Sequence, residues 1–304
     1  MSYKQLDFAP VTLNSRAKTP KFKVKHLIIS SDGGILKEIT GNKRRKQKEQ
    51  KMIIDTHAHY DDEQFDTDRD VLLNSMHDGG IGLIVNAGST LESWGKIMKL
   101  TEDYPFIYGA IGIHPDEVGT LTEEHMSEME RLLDLEKIVA VGEIGLDYYW
   151  DNESHDIQKK WFVRQLEIAR KKEMPVIIHS REAAADTMDI MREYAAGMRA
   201  VIHCYSYSVE MAREYVKMGY YIGIGGVVTF KNAKKLKSVV EAIPLTSIAL
   251  ETDCPYLAPE PYRGKRNSSL YLPYVAEKIA ELKGVSVEEV IRQTEENSRK
   301  LYRL

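Results

Sequence analysis

The chain has 304 residues, of which 43% are hydrophobic and 29% are charged, and this ordinary globular composition excludes disordered, collagen-like and coiled-coil proteins. No run of 18 apolar residues occurs and the N-terminus lacks the apolar middle of a signal peptide, so we expect a cytoplasmic protein without membrane segments. The net charge of −4 is unevenly divided, because residues 1–51 hold 13 Lys and Arg against 4 Asp and Glu while residues 52–304 hold 29 against 42. A body of that acidity argues against a protein that coats duplex DNA.

Residues 1–51 show no sustained hydrophobic period and end in the basic run 42–51. Such a composition predicts a solvated or disordered N-terminal extension. Two interpretations are open: a nucleic-acid-binding tail, or a dispensable extension ahead of Met52, where the first convincing strand opens. We favour the second, since a single basic run is a weak signal.

From Met52 onward, short apolar runs alternate with amphipathic stretches, a pattern typical of strand-helix units and a parallel sheet. The predicted strands are Met52–Asp55, Gly82–Asn86, Ile107–Gly112, Ile138–Gly142, Val176–Ile178, Ala200–Ile202, Tyr221–Ile224 and Ser247–Leu250. The predicted helices include Gln158–Lys172, Val209–Met218 and a C-terminal helix that opens at the capping pattern of Ser286. Eight such units within residues 52–304 predict an α/β protein with a (β/α)8 TIM-type barrel, and a doubly wound sheet is the alternative.

Ligand-type residues follow five of these strands. In a barrel the carboxyl ends of the strands converge on one face, where active sites are built. A single one of these residues is a weak signal, since a lone His is more often structural and a lone carboxylate can cap a helix. Their joint placement favours a metal site formed by His57, His59, Glu143, His179, His203 and Asp253.

The types of ligand narrow the chemistry. Imidazole and carboxylate without thiolate suit Zn, Mn, Co, Ni or Fe(II), and Mg where waters are retained. Of these, Mg, Mn and Zn are the ions we expect. Six ligands exceed the need of one catalytic ion, so we expect two divalent ions about 3.5–4 Å apart, bridged by Glu143. Such a pair activates a water for hydrolysis, with Asp253 as the proton acceptor.

The sequence resembles the TatD family of metal-dependent deoxyribonucleases within the amidohydrolase superfamily. The resemblance covers residues 52–304 and rests on segments in the family's order: 55–59 (DTHAH), 112–115 (GIHP), 142–148 (GEIGLDY), 179–181 (HSR), 203–206 (HCYS) and 251–257 (ETDCPYL). It implies a (β/α)8 barrel, a divalent metal centre held by the same six ligands, and substrate contacts by His114, Arg181, Arg263 and Asn267. His114 is equally compatible with a structural role at the end of a strand. For Arg181, contact with phosphate is favoured over a salt bridge at the barrel rim.

Two positions depart from the family pattern: Tyr207 stands where the family usually has Gly, and Ser268 with Ser269 replaces an acidic residue and Pro. Tyr207 is expected to narrow the pocket or to add a stacking surface. The function implied is a 3′-5′ exodeoxyribonuclease that acts on single-stranded DNA ends, with DNA as its only expected partner. The alternative is an amidohydrolase-type enzyme for a small amide, lactone or phosphate ester. Many of those carry a carboxylated Lys at the fourth strand, where this chain has Glu143.

Overall fold

The computed structural model describes residues 52–150 and 153–304. The expected N-terminal extension, residues 1–51, lies outside the described residues. Eight strands were predicted in this part of the chain, and all eight are present: β1 (Ile53–Ala58), β2 (Ile81–Ala87), β3 (Ile107–Ile111), β4 (Ile138–Asp147), β5 (Val176–Arg181), β6 (Ala200–Ile202), β7 (Tyr221–Ile224) and β8 (Ile248–Leu250).

Helices alternate with these strands. Their bounds are α1 (Arg69–Asn74), α2 (Leu91–Asp103), α3 (Glu123–Leu132), α4 (His155–Lys171), α5 (Ala184–Tyr194), α6 (Val209–Lys217), α7 (Lys234–Ala242), α8 (Leu272–Lys283) and α9 (Val287–Tyr302). Helix α4 begins ahead of the predicted Gln158 because the Ser154 hydroxyl accepts the Ile157 N–H and caps the helix there. Ser286 caps α9 as predicted, accepting the Glu289 N–H. Among the described residues no helix combines the length and the apolar character that crossing a membrane requires.

The strands form one parallel sheet in the order β1 to β8, each paired with the next. The sheet closes where the chain after β8 returns to β1: the N–H of His59 donates to the Cys254 carbonyl at 2.8 Å, and the N–H of Asp253 donates to the His57 carbonyl at 3.0 Å. The (β/α)8 barrel is therefore confirmed, and the doubly wound alternative is excluded. Closure places Asp253, the third residue after β8, beside His57 of β1 and His59 just after it.

Strand β4 is ten residues long and buried throughout. Gly145 lies within it at a φ of 151°, where a Cβ atom would collide with the carbonyl oxygen of His179 on β5. Only glycine lets the two backbones approach this closely. The long strand and this close approach bring Glu143 of β4 next to His179 of β5.

Candidate metal centre

The predicted ligands meet in one cavity at the carboxyl ends of the strands. It has a volume of 710 Å³, and His59, Glu143, His179, His203 and Asp253 contribute to its lining. The sixth ligand, His57, is fully buried below the surface of the cavity. The strands run further than predicted, so Glu143 and His179 lie within β4 and β5 instead of after them.

Glu143 lies at the centre of the cluster, with its two carboxylate oxygens facing different histidines. Oε1 lies 2.7 Å from Nδ1 of His179 and 2.7 Å from Nε2 of His203. Oε2 lies 3.3 Å from Nε2 of His57 and 3.6 Å from Nε2 of His59. One carboxylate therefore separates two pairs of imidazoles, the arrangement expected of a ligand shared by two sites.

Asp253 completes the group around β1. Its Oδ1 lies 3.6 Å from Nε2 of His57 and 3.4 Å from Nε2 of His59. The backbone at Asp253 has a φ of 57°, in the left-handed region that Asp tolerates better than most residues. This turn aims the carboxylate back at the first strand.

The lone pairs of the clustered histidines are oriented to bind a cation. His59 donates through Nδ1 to the Ala87 carbonyl at 3.0 Å, so its neutral ring keeps a lone pair on Nε2, only 2.9 Å from Nε2 of His57. In the same way, His179 donates through Nε2 to Asp147 at 3.0 Å and turns the lone pair of Nδ1 towards the Glu143 carboxylate. Lone pairs that face each other this closely repel unless a proton or a metal ion lies between them.

The ligand atoms also cluster tightly. In residues 52–150 and 153–304, three sets of side chains have nitrogen or oxygen atoms within 4.8 Å of one another and could each hold a metal ion. They are His57, Glu143 and His203; His57, His59 and Asp253; and His114, Asp147 and His179.

The electrostatics show that the cluster attracts positive charge. Burial lowers the pKa of His59, but the hydrogen bond and the charge of Asp253 outweigh it and raise that pKa to about 10. Burial raises the pKa of the Glu143 carboxyl, yet the charges of His203 and His57 hold it well below its usual range. The cluster thus stabilises an ionised carboxylate together with a cation beside it.

Two carboxylates outside the predicted set hold ligands in place. Asp147 accepts the Nε2 proton of His179, on the side of the ring that faces away from Glu143. Glu251 is 1% exposed, and its Oε1 accepts the N–H of Cys204 at 2.5 Å, directly after His203. Sequence reasoning missed both roles. Glu251 stands directly after β8, where the signal used for the ligands themselves could have found it, whereas Asp147 lies five residues beyond the predicted end of β4.

His114 also lines the cavity. Its Nδ1 accepts the N–H of Asp116 at 3.2 Å, so the proton of the neutral ring is on Nε2, which lies 3.9 Å from Oε1 of Glu143. Burial and the charge of His179 lower the pKa of His114 to about 3. His114 therefore presents a neutral N–H donor to the cavity, and it also caps the 3-10 helix Pro115–Thr120.

Of the predicted substrate-side groups, Arg181 lines the cavity. Arg263 is not among the lining residues, and its guanidinium stacks on Phe230 at 4.2 Å. The neighbouring Arg266 forms a two-pronged ion pair with Asp68 at 2.6 and 2.8 Å. The cations beside the site are thus fewer than the sequence suggested.

Asn267 occupies a different place from the one expected. It is 1% exposed, and its amide donates to the carbonyls of Thr252 and Tyr256 at 2.8 and 2.7 Å while its oxygen accepts the N–H of Ser268. Both N–H donors are engaged by backbone carbonyls and the side chain is buried, so Asn267 has no N–H to offer a substrate. Asn267 instead braces the loop that carries Asp253.

Tyr207 neither narrows the cavity nor faces it. Its hydroxyl lies 3.0 Å from the Ser180 hydroxyl and accepts the N–H of Ala183 at 3.2 Å. The residue that departs from the family pattern thus supports the segment between His179 and α5, where Arg181 lies. Neither alternative expected for this side chain, a narrowed pocket or a stacking surface, describes its position.

Most of this chain matches known proteins in sequence and in fold. A family model described as TatD related DNase matches residues 54–303. YabD from Bacillus subtilis, described as an uncharacterized metal-dependent hydrolase, is 44% identical over 254 residues, which cover 83% of this chain and 100% of YabD. YcfH from Escherichia coli, with the same description, is 34% identical over 83% of this chain and 96% of its own length. The crystal structure of YjjV, a TatD homolog from Escherichia coli, has a TM-score of 0.79 at 29% identity and covers 83% of this chain and 98% of YjjV.

Proposed function

This chain belongs to the TatD family of metal-dependent hydrolases, and on that premise we propose that it removes nucleotides from the 3′ ends of single-stranded DNA. The observation that carries the proposal is the division of the Glu143 carboxylate between two histidine pairs in a cavity that also holds Arg181. A metal cluster beside a guanidinium suits a phosphodiester, whose anionic oxygens need cationic partners.

We propose two divalent ions, Mg, Mn or Zn, with Glu143 shared between them. His57, His59 and Asp253 would hold one ion, and His179 with His203 would hold the other. When bound, such ions supply Lewis acidity to a phosphoryl oxygen and bring the pKa of a water molecule close to neutrality.

The residues of the chain perform the remaining tasks. Asp253 accepts the proton of the attacking water at its carboxylate, whose side chain is 18% exposed and so reaches the cavity. His114 donates its Nε2 proton as a hydrogen bond to a phosphoryl oxygen, and Arg181 pairs with the phosphate charge. The buried His57 and the braced loop around Asn267 keep these groups in position.

Charge supports a preference for strand ends. The sequence from residue 52 onward carries a net −13, and among the described residues Arg181 is the one Lys or Arg side chain that lines the cavity. With Arg266 held by Asp68, few cations are available to grip a long backbone. A site that binds one or two phosphates favours an end over the interior of a duplex.

The substrate class is tested by three compounds assayed side by side: a labelled single-stranded oligonucleotide, a dihydropyrimidine-type cyclic amide and a paraoxon-type ester. Each is incubated with the full chain, with and without added Mn or Mg. We expect turnover of the oligonucleotide alone, and only with metal. Turnover of the amide or the ester without cleavage of DNA would replace the proposal with the amidohydrolase-type alternative.

A further inference from the structure

Exposed aromatic side chains gather at the mouth of the cavity. Seven large hydrophobic side chains are exposed in residues 52–150 and 153–304. Three of them, Trp150, Tyr256 and Leu257, line the cavity, and a fourth, Tyr149, packs against Trp150 with ring centroids 5.0 Å apart. Scattered exposed apolar residues need no explanation, but a cluster at a cavity indicates a binding surface.

Arg181 joins this cluster. Its guanidinium lies 3.8 Å from the centroid of the Tyr149 ring and 5.5 Å from that of Trp150. Tyr149 stands nearly perpendicular to Trp150, at 84°. Arg181 and Tyr149 thus brace the indole, which is 58% exposed.

The aromatic pair is fixed relative to the metal ligands. The N–H groups of Tyr149 and Trp150 both donate to Oδ1 of Asp147, at 2.9 and 3.1 Å. The other oxygen of the same carboxylate contacts His179. Asp147 therefore fixes the backbone of Tyr149 and Trp150 relative to His179. A base stacked on Trp150 is held at a set distance from the proposed metal ligands.

Four other tyrosines close to the predicted ligands in the sequence have their hydroxyls bonded within the protein or their rings buried. The Tyr148 hydroxyl donates to Asp186 at 2.6 Å, and the Tyr205 ring is only 3% exposed. The Tyr207 hydroxyl supports the segment after β5. Tyr256 also lines the cavity, and its hydroxyl donates to Asp62 at 2.9 Å, while the residue as a whole is 50% exposed.

We propose that Trp150, braced by Tyr149 and Arg181, is a stacking subsite for an unpaired nucleobase of the strand whose phosphodiester enters the cavity. This inference rests on the proposed nuclease function. An aromatic face beside a guanidinium matches a base next to its phosphate, and stacking is tolerant of sequence because every base has a π-face. In a duplex both faces of an interior base are covered, so the subsite selects single strands.

Binding is measured first, by tryptophan fluorescence of the metal-loaded full chain. The chain has three tryptophans, and Trp94 and Trp161 are only 4% and 5% exposed, so Trp150 is the one that a ligand reaches. A phosphorothioate oligonucleotide that resists hydrolysis is expected to quench the exposed component. A strand of the same charge with abasic residues at its 3′ end should not, and Trp150→Phe should lose the signal with either strand.

Kinetics supply the second readout. Trp150→Ala is expected to raise KM for single-stranded DNA by about 5-fold to 150-fold, because that is the range of one lost base stack. Trp150→Phe should recover most of this loss. The wild-type chain acting on the abasic strand should show a similar rise, and Trp150→Ala should add little to it. Val71→Ala, at a residue that is 77% exposed on α1, is the matched control and should leave KM unchanged.

The outcomes separate this subsite from the nuclease proposal. If DNA is cleaved but Trp150→Ala and the abasic strand both leave KM unchanged, the subsite is wrong and the nuclease stands. If quenching depends on the bases but no strand is cleaved, the subsite stands and the nuclease is wrong. Quenching by the abasic strand equal to that by the normal strand would overturn the stacking of a base.

Discussion

Oδ2 of Asp147 lies 3.0 Å from Nε2 of His179, and this contact decides which ring nitrogen of the histidine faces Glu143. An ionised carboxylate only accepts hydrogen bonds, so Nε2 carries the proton and Nδ1 keeps its lone pair for the cluster. Asp147 therefore orients His179, one of the proposed metal ligands, and is not itself a proposed ligand.

Asp147→Asn should therefore weaken metal binding by about 10–100-fold, the usual cost of losing such a partner of a ligand histidine. The amide oxygen still accepts the N–H groups of residues 149 and 150, which turns the NH₂ group towards His179. That ring must then accept at Nε2 and protonate Nδ1, which can no longer bind an ion. Titration calorimetry with Mn on metal-free protein measures the change.

The matched control for Asp147 is Asp186→Asn. Its carboxylate binds Tyr148 and Lys159 but none of the proposed ligands, so metal affinity should not change. Equal affinity in the Asp147 variant and the wild type would remove the proposed role of Asp147.

Glu143→Gln should lower the occupancy of both proposed metal positions together, since the amide nitrogen replaces one of two oxygens that face different histidine pairs. Metal equivalents per chain after dialysis, determined by mass spectrometry, measure this effect. Glu117→Gln, at an exposed carboxylate, serves as the control. If one equivalent is lost and the other is retained at full affinity, the bridge is a different residue.

Tyr207→Phe should lower the melting temperature by several degrees and raise KM modestly. Loss of the hydroxyl leaves the N–H of Ala183, which is 3% exposed, without its acceptor, at a cost of about 1–3 kcal/mol. For a domain of this size each kcal/mol corresponds to about 2–4 °C. The rise in KM follows because the loosened segment carries Arg181.

Calorimetry and steady-state kinetics on the same preparation test the Tyr207 prediction. Tyr104→Phe, which removes a hydroxyl that donates to Asp70 just before β3, is the control and should leave KM unchanged. A Tyr207 variant with wild-type stability and KM would show that the hydroxyl supports nothing.

A chain that begins at Met52 should melt at the same temperature and turn over at the same rate as the full chain. This prediction comes from the sequence, since residues 1–51 have no hydrophobic period and the family match begins at residue 54. If the basic run 42–51 touches phosphates, affinity for DNA falls slightly and its salt dependence becomes shallower. A large loss of stability would show that these residues pack on the barrel.

The sequence predicted the eight strands, the barrel and a common location for the six ligands, because those depend on local periodicity and on one rule about strand ends. It did not predict what Asn267 and Arg266 contact. Arg266 pairs with Asp68, which is 198 positions away in the chain, and no local pattern encodes such a contact. Asp147 was passed over because β4 was expected to end at Gly142, which left its carboxylate in a loop.

The measurement that tests the central claim most directly compares an end-labelled linear single strand with a closed circle of matched sequence, in the presence of Mn. The account predicts a ladder of stepwise products from the linear strand and almost none from the circle. It also predicts no products after exhaustive chelation and very little from Asp253→Asn, which should still fold. Cleavage of the circle at a comparable rate, or full activity after chelation, would contradict the account.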